Sequence, residues 1–192
     1  MPRRPRNNSP RANAMIFADA SVCLKTGAAG WGAWVKRDGG VSQVFGGSFR
    51  NTMVFSTEAE LAAIANAIHR ALAWRLIIAG DVVMVQSDSA EALARIRQFT
   101  AAGDNPAVGG LRVGPSRRPP RRPLVREAVE RIKVLAEQHR LTLVVRHVRG
   151  HQAGPGRQWV NAECDRTAKD HMRARRAEMA PATDHHAHEA RV

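Results

Sequence analysis

Little in this 192-residue chain could cross-link it or anchor it. Its two cysteines, Cys23 and Cys164, are too few for a disulfide framework and match no zinc-binding spacing. Both are expected as buried or half-buried thiols in a reducing cytosol. No apolar run approaches the roughly 18–20 residues that span a bilayer. No amphipathic basic helix suggests a membrane surface either. The Arg- and Pro-rich N-terminus has no apolar block behind it, so it does not read as a secretory signal. Internal repeats are absent. The expectation is one cytoplasmic domain with tails, large enough to bury a proper core and without a membrane partner.

Charge is where the composition is lopsided. The formal net charge is +13 and the sequence pI is about 11.5, which indicates a polyanionic partner, nucleic acid first. An Arg-biased composition with two solvated tails accounts for part of that surplus. It does not account for acids placed inside a basic protein. Asp19 closes the apolar run Ala14-Met15-Ile16-Phe17-Ala18, and Glu60 opens a helical face of Leu61, Ile64, Ala67 and Ile68. Asp88 follows the strand-like Val82-Val83-Met84-Val85-Gln86-Ser87, and Asp165 lies in a helical segment after Arg149-Gly150-His151. A carboxylate at the end of a buried strand must be paired, protonated or bound to a cation. Carboxylates on four separate elements suggest a divalent-metal site, and oxygen donors suit hard cations such as Mg²⁺.

Each acid also has a local explanation. Asp19 could cap a turn through Ser21, and Glu60 could be a first-turn helix acid. Asp88 could be a helix N-cap. Asp165 could pair with Arg166 or Lys169. Taken singly, the local explanations are simpler; the metal reading rests on all four together.

Along the chain, residues 1–13 read as a disordered basic arm with Arg3, Arg4, Arg6 and Arg11. Residues 14–48 read as three strands, with a hairpin signal at Asp38-Gly39-Gly40. Trp31, Ala33 and Val35 alternate with Gly32, Trp34 and Lys36, which predicts an antiparallel strand with one packed face. Trp31 and Trp34 are expected on the sheet or in the core and not as base-stacking platforms. Ser56 or Thr57 is expected to cap a helix that carries Glu60. Then come a strand over 82–86 and a short helix over about 89–99. An aperiodic Gly- and Pro-rich insert over 103–123 carries Arg112, Arg117, Arg118, Arg121 and Arg122. A helix over 124–139, a strand over 141–148 and a last helix over about 159–175 complete a domain of residues 14–175. The His- and Ala-rich residues 176–192, with His185, His186 and His188, read as an unstructured tail. This order predicts a mixed α/β sheet with helices on its faces. If the first and fourth strands are neighbours, Asp19 and Asp88 meet at one rim, where such sheets bind ligands.

Several short segments then stand in a familiar order: Phe17-Ala18-Asp19-Ala20-Ser21, Gly30-Trp31-Gly32-Ala33, Glu58-Ala59-Glu60-Leu61-Ala62-Ala63-Ile64, Gln86-Ser87-Asp88-Ser89, Val148-Arg149-Gly150-His151 and Asn161-Ala162-Glu163-Cys164-Asp165. Over roughly residues 14–172 the chain resembles the ribonuclease H family, in its bacterial form that cleaves the RNA strand of RNA–DNA hybrids. The resemblance implies a five-stranded sheet with strands 1–3 antiparallel. It implies two Mg²⁺ ions (or Mn²⁺) on Asp19, Glu60, Asp88 and Asp165, with Asp19 bridging. Glu60 matches better than Glu58, because the family's glutamate directly precedes the Leu. His151, beside Gly154-Pro155-Gly156, matches a loop histidine that handles product or proton. Asn161 matches an asparagine near the scissile phosphate. Ser21 and the insert arginines Arg117, Arg118, Arg121 and Arg122 are expected to touch nucleic acid by sequence-independent phosphate contacts.

The chain departs from the family at Ala20, commonly Gly, and at Ser56 and Thr57, which replace an Asn pair. Ala90 replaces a longer polar residue, and the His151 to Asp165 spacing is longer than in the shortest members. Two other functions stay open at this point: a nuclease of the same fold acting on DNA, and a non-catalytic hybrid- or RNA-binding module. A monomer is expected.

Overall fold

The computed structural model describes residues 10–97, 122–148 and 157–180. The arm over 1–9, residues 98–121 with most of the Arg-rich insert, the loop holding His151, and residues 181–192 lie outside them.

Two glycine turns set the first hairpins. Gly27 (φ +73) donates to the Cys23 carbonyl at 2.8 Å, and Gly40 donates to Arg37 at 3.0 Å beside Gly39 (φ +72). A left-handed backbone costs glycine little, so β1 (Ala14–Val22), β2 (Ala29–Arg37) and β3 (Gln43–Ser48) run antiparallel in turn. The chain crosses through α1 (Ser56–Ala73) to β4 (Val82–Ser87), which lies parallel to β1. Next come α2 (Ala90–Ile96), α3 (Pro123–Gln138), β5 (Thr142–His147) parallel to β4, and α4 (Arg157–Glu178). The sheet order is β3-β2-β1-β4-β5. This is the expected α/β architecture, a five-stranded mixed sheet flanked by helices.

The core lies under α1. Leu61, Ile64, Ile68 and Ala71 recur at helical spacing and pack on Ile16, Ala18, Ala33 and Val35. Full burial of each Leu or Ile is worth about 1.5–3 kcal/mol. The expected single packed face of β2 needs correcting: Gly32 on the opposite face is buried as well. There α4 lies so close that a methyl group on Gly32 would run into the Cys164 carbonyl, and one on Gly30 into the Ala168 carbonyl. Small residues, which carry no hydrophobic signal, seat this helix.

Other boundaries shift. Phe55 is the N-cap of α1 and makes no side-chain capping bond, whereas Thr57 Oγ1 donates to Glu91 Oε2 at 2.8 Å. The last helix continues past Arg175 to Glu178. Both cysteines are free, Cys164 buried and Cys23 half-buried. Among the described residues no helix is long and apolar enough to cross a membrane.

The start of β4 holds a buried acid with every need met. Asp81 accepts from Arg37 Nη2 and Asn13 Nδ2, both at 3.0 Å, and from the Ile78 amide at 2.8 Å. At the other end of the same strand the acids lack such partners.

Candidate active site

The register of β1 on β4 builds the site. The paired stretch ends at Phe17 opposite Gln86, so Asp19 and Asp88 each stand two residues beyond it at the same rim. Ser89, and not Asp88, caps α2, its Oγ accepting from the Ala92 amide at 3.2 Å. Asp88 is thereby left to face Asp19. Glu60 comes from the first turns of α1. One carboxylate oxygen from each of Asp19, Glu60 and Asp88 falls within 4.8 Å of the others.

Three carboxylates at that spacing repel one another, and two of them are buried: Asp19 is 7 % and Glu60 8 % exposed. Asp19 accepts one bond, from the Ala20 amide at 2.8 Å. Glu60 Oε2 is buried with no hydrogen-bond partner among the described residues. Burial, then the neighbouring Asp88, hold the Asp19 carboxyl well above its ordinary range, with Asp165 adding to the effect. Burial, then Asp19 and Asp88, push Glu60 up further. An orphaned oxygen among all-oxygen donors fits a hard divalent cation, which would satisfy Glu60 and cancel the repulsion.

Asp165 is the fourth acid expected at the site. It lies on α4, near enough for its charge to act on Asp19. Its Oδ2, however, takes the Lys169 ammonium at 2.7 Å, and it stands apart from the three-acid cluster. The pairing at i, i+4 is the local one that helix geometry favours. Asn161, one turn earlier on α4, has a buried Oδ1 with no partner among the described residues. Ser21, half-buried near the end of β1, pairs in register with Gly30.

Of the insert arginines, Arg122 alone is among the described residues. It is exposed at the N-cap of α3, and its guanidinium lies 3.4 Å from the centre of the Phe55 ring. Arg117, Arg118, Arg121 and His151 lie outside them. Trp31 is buried and Trp34 half-buried on the sheet.

Sequence reasoning missed His147 at the end of β5, whose Nε2 lies 2.9 Å from the Asp88 carbonyl oxygen. The only signal for it was the register that sets His147 beside Ser87.

A family model described as RNase H matches residues 11–173. The chain belongs to the RNase H family. Membership makes it a ribonuclease H enzyme, a nucleic-acid-binding hydrolase. Solved structures share the fold at low identity. The N-terminal RNase H domain of rv2228c from Mycobacterium tuberculosis is 19 % identical with a TM-score of 0.62, over 88 % of this chain and 100 % of that one. RNase H1 from the halophilic archaeon Halobacterium salinarum is 15 % identical with a TM-score of 0.57, over 84 % and 98 %. LC11-RNase H1, isolated from compost by a metagenomic approach and solved with an RNA/DNA hybrid, is 19 % identical with a TM-score of 0.57, over 84 % and 97 %. No curated protein matches the sequence.

Proposed function

We propose that this RNase H-family enzyme hydrolyses the RNA strand of RNA–DNA hybrids at Asp19, Glu60 and Asp88, with divalent cations as cofactor. The buried, unpartnered Glu60 Oε2 inside the cluster carries this reading. A buried polar atom left unpaired costs about 1–3 kcal/mol, and a bound cation removes that cost. When present, two divalent ions supply the Lewis acidity that activates water and neutralises charge on the phosphate. Mg²⁺ or Mn²⁺ suits the donors.

The chain's own groups do the holding and the steering. Asp19, on the most central strand of the sheet, is the acid best set to be shared between two cations, with Glu60 and Asp88 beside it. Asp165 would join them if it released Lys169. Asn161, one turn before Asp165 on α4, carries a buried amide oxygen without a partner among the described residues and is the asparagine assigned to contact the nucleic acid. Ser21 and Arg122 are assigned to phosphate contacts, and the surplus of +13 attracts the polyanion. The hybrid complex of LC11-RNase H1 supports this substrate class.

The test is a gel assay on labelled hybrid, double-stranded RNA, double-stranded DNA and single-stranded RNA, with and without Mg²⁺. Cleavage confined to the RNA of the hybrid, dependent on Mg²⁺ and lost in Asp19→Asn and Asp88→Asn, is expected. Equal cutting of duplex DNA, or activity that survives both substitutions, overturns the reading.

A further inference from the structure

Glu58 precedes Glu60 by two residues, which at 3.6 residues per turn turns the two side chains to different sides of α1. Glu58 therefore does not join the metal-type cluster. It lines a separate cleft of about 480 Å³ between α1, the N-terminal half of α3 and the segment after β3. The residue is 5 % exposed, yet its carboxylate has no hydrogen-bond or ion-pair partner among the described residues. Its oxygens are not sealed inside the fold as the Glu60 oxygen is, so they open to the cleft and are free to accept from a molecule that enters it.

The rest of the lining says what kind of molecule that is. Trp31 and Phe49 are buried and contribute only narrow apolar edges, and three arginines line the cleft: Arg50, Arg70 and Arg131. Two of these are already held in place. Arg70 lies over the Trp31 and Trp74 rings at 5.6 and 5.3 Å, and Arg131 Nη1 donates to Asn66 Oδ1 at 3.0 Å. Glu127 is the one other acid of the lining, and it is exposed. The volume lies in the range of small-molecule sites, roughly 300–1,000 Å³.

We propose that this cleft is a second ligand site that takes a guanine nucleotide, its base edge on Glu58 and its phosphate on the arginines. An ionised carboxylate only accepts. The N1–H and N2–H₂ of guanine present two parallel donors to its two oxygens. Adenine offers an amino group beside the bare N1 lone pair, which repels the second oxygen. Arginine guanidinium in turn matches phosphate through paired N–H donors. The site needs neither the acid cluster nor a divalent cation, so it stands whether or not the chain cuts hybrids.

Calorimetric titration of the full-length protein in EDTA with GMP, AMP and guanosine tests this. GMP is expected to bind roughly tenfold or more tightly than AMP. In Glu58→Gln, GMP should fall to the affinity of AMP while the variant keeps its circular dichroism and its cleavage rate. Arg131→Ala should weaken GMP several-fold and leave guanosine unchanged. Equal affinity for GMP and AMP, no heat with GMP, or GMP binding unmoved by Glu58→Gln overturns the proposal. Loss of hybrid cleavage in the wild type would bear only on the acid cluster.

Discussion

Asp165 is bound to Lys169, one helical turn away on α4, at 2.7 Å, while the three other acids of the site crowd together with no ion-pair partner among the described residues. The pair keeps one carboxylate neutralised until a cation takes its place. Both side chains are partly exposed, 32 % for Asp165 and 45 % for Lys169, so breaking the pair costs little, about 0.2–1 kcal/mol. Lys169→Met should tighten Mg²⁺ binding by roughly two- to fivefold, read by calorimetry. An unchanged or weaker affinity would mean that Asp165 takes no part in holding cations.

The acid cluster makes the cation-free protein sensitive to pH. Asp19 and Glu60 keep their protons to higher pH in the fold than in the unfolded chain, where carboxyls titrate near about 4. Above that point the native state holds more protons, so stability falls as pH rises through the raised values and levels off beyond them. In EDTA, Tm should drop between about pH 5 and about pH 8 by more in the wild type than in Asp19→Asn. Mg²⁺ should flatten the wild-type curve. Parallel curves for the two proteins in EDTA would contradict the mutual repulsion.

Asp81, at the start of β4, has its hydrogen-bond partners complete. Replacing it by Ala strands Arg37 and Asn13 and removes three hydrogen bonds at the start of β4. A loss of about 1–3 kcal/mol is expected, measured by urea unfolding, because Arg37 is partly open to water. A change below about 1 kcal/mol would show that water replaces the acid there.

Gly32 ties the sheet to the helix that carries Asn161 and Asp165. Gly32→Ala puts a methyl into the Cys164 carbonyl and beside Thr167, so α4 must lift. Overpacking of this kind costs about 1–3 kcal/mol, and cleavage should fall with it because Asp165 shifts. Full stability and activity in the variant would mean that α4 slides without cost.

Much of this was legible in the sequence, for physical reasons. The hairpins follow from Gly27 and Gly39, the core face of α1 from its helical spacing, and the meeting of Asp19 with Asp88 from apolar strands that end in acids. Less was legible where contact depends on atoms without a hydrophobic pattern. The close seat of α4 depends on the missing Cβ of Gly30 and Gly32. The place of Asp165 depends on a rotamer choice between Lys169 and the site. The separation of Glu58 from Glu60 depends on helical phase and on what α3 brings across from far along the chain.

The account depends most on Glu60 as the acid whose unpaired oxygen receives a cation. Groups that merely orient metal ligands are worth about 10–100-fold, so removing a ligand should cost at least about a hundredfold. The decisive measurement is the initial rate of RNA cleavage in a hybrid across a Mg²⁺ titration, for the wild type and Glu60→Gln. The account predicts that the variant loses at least that factor and no longer saturates with Mg²⁺ in the wild-type range. A variant that cuts at the wild-type rate with the same Mg²⁺ dependence would contradict it.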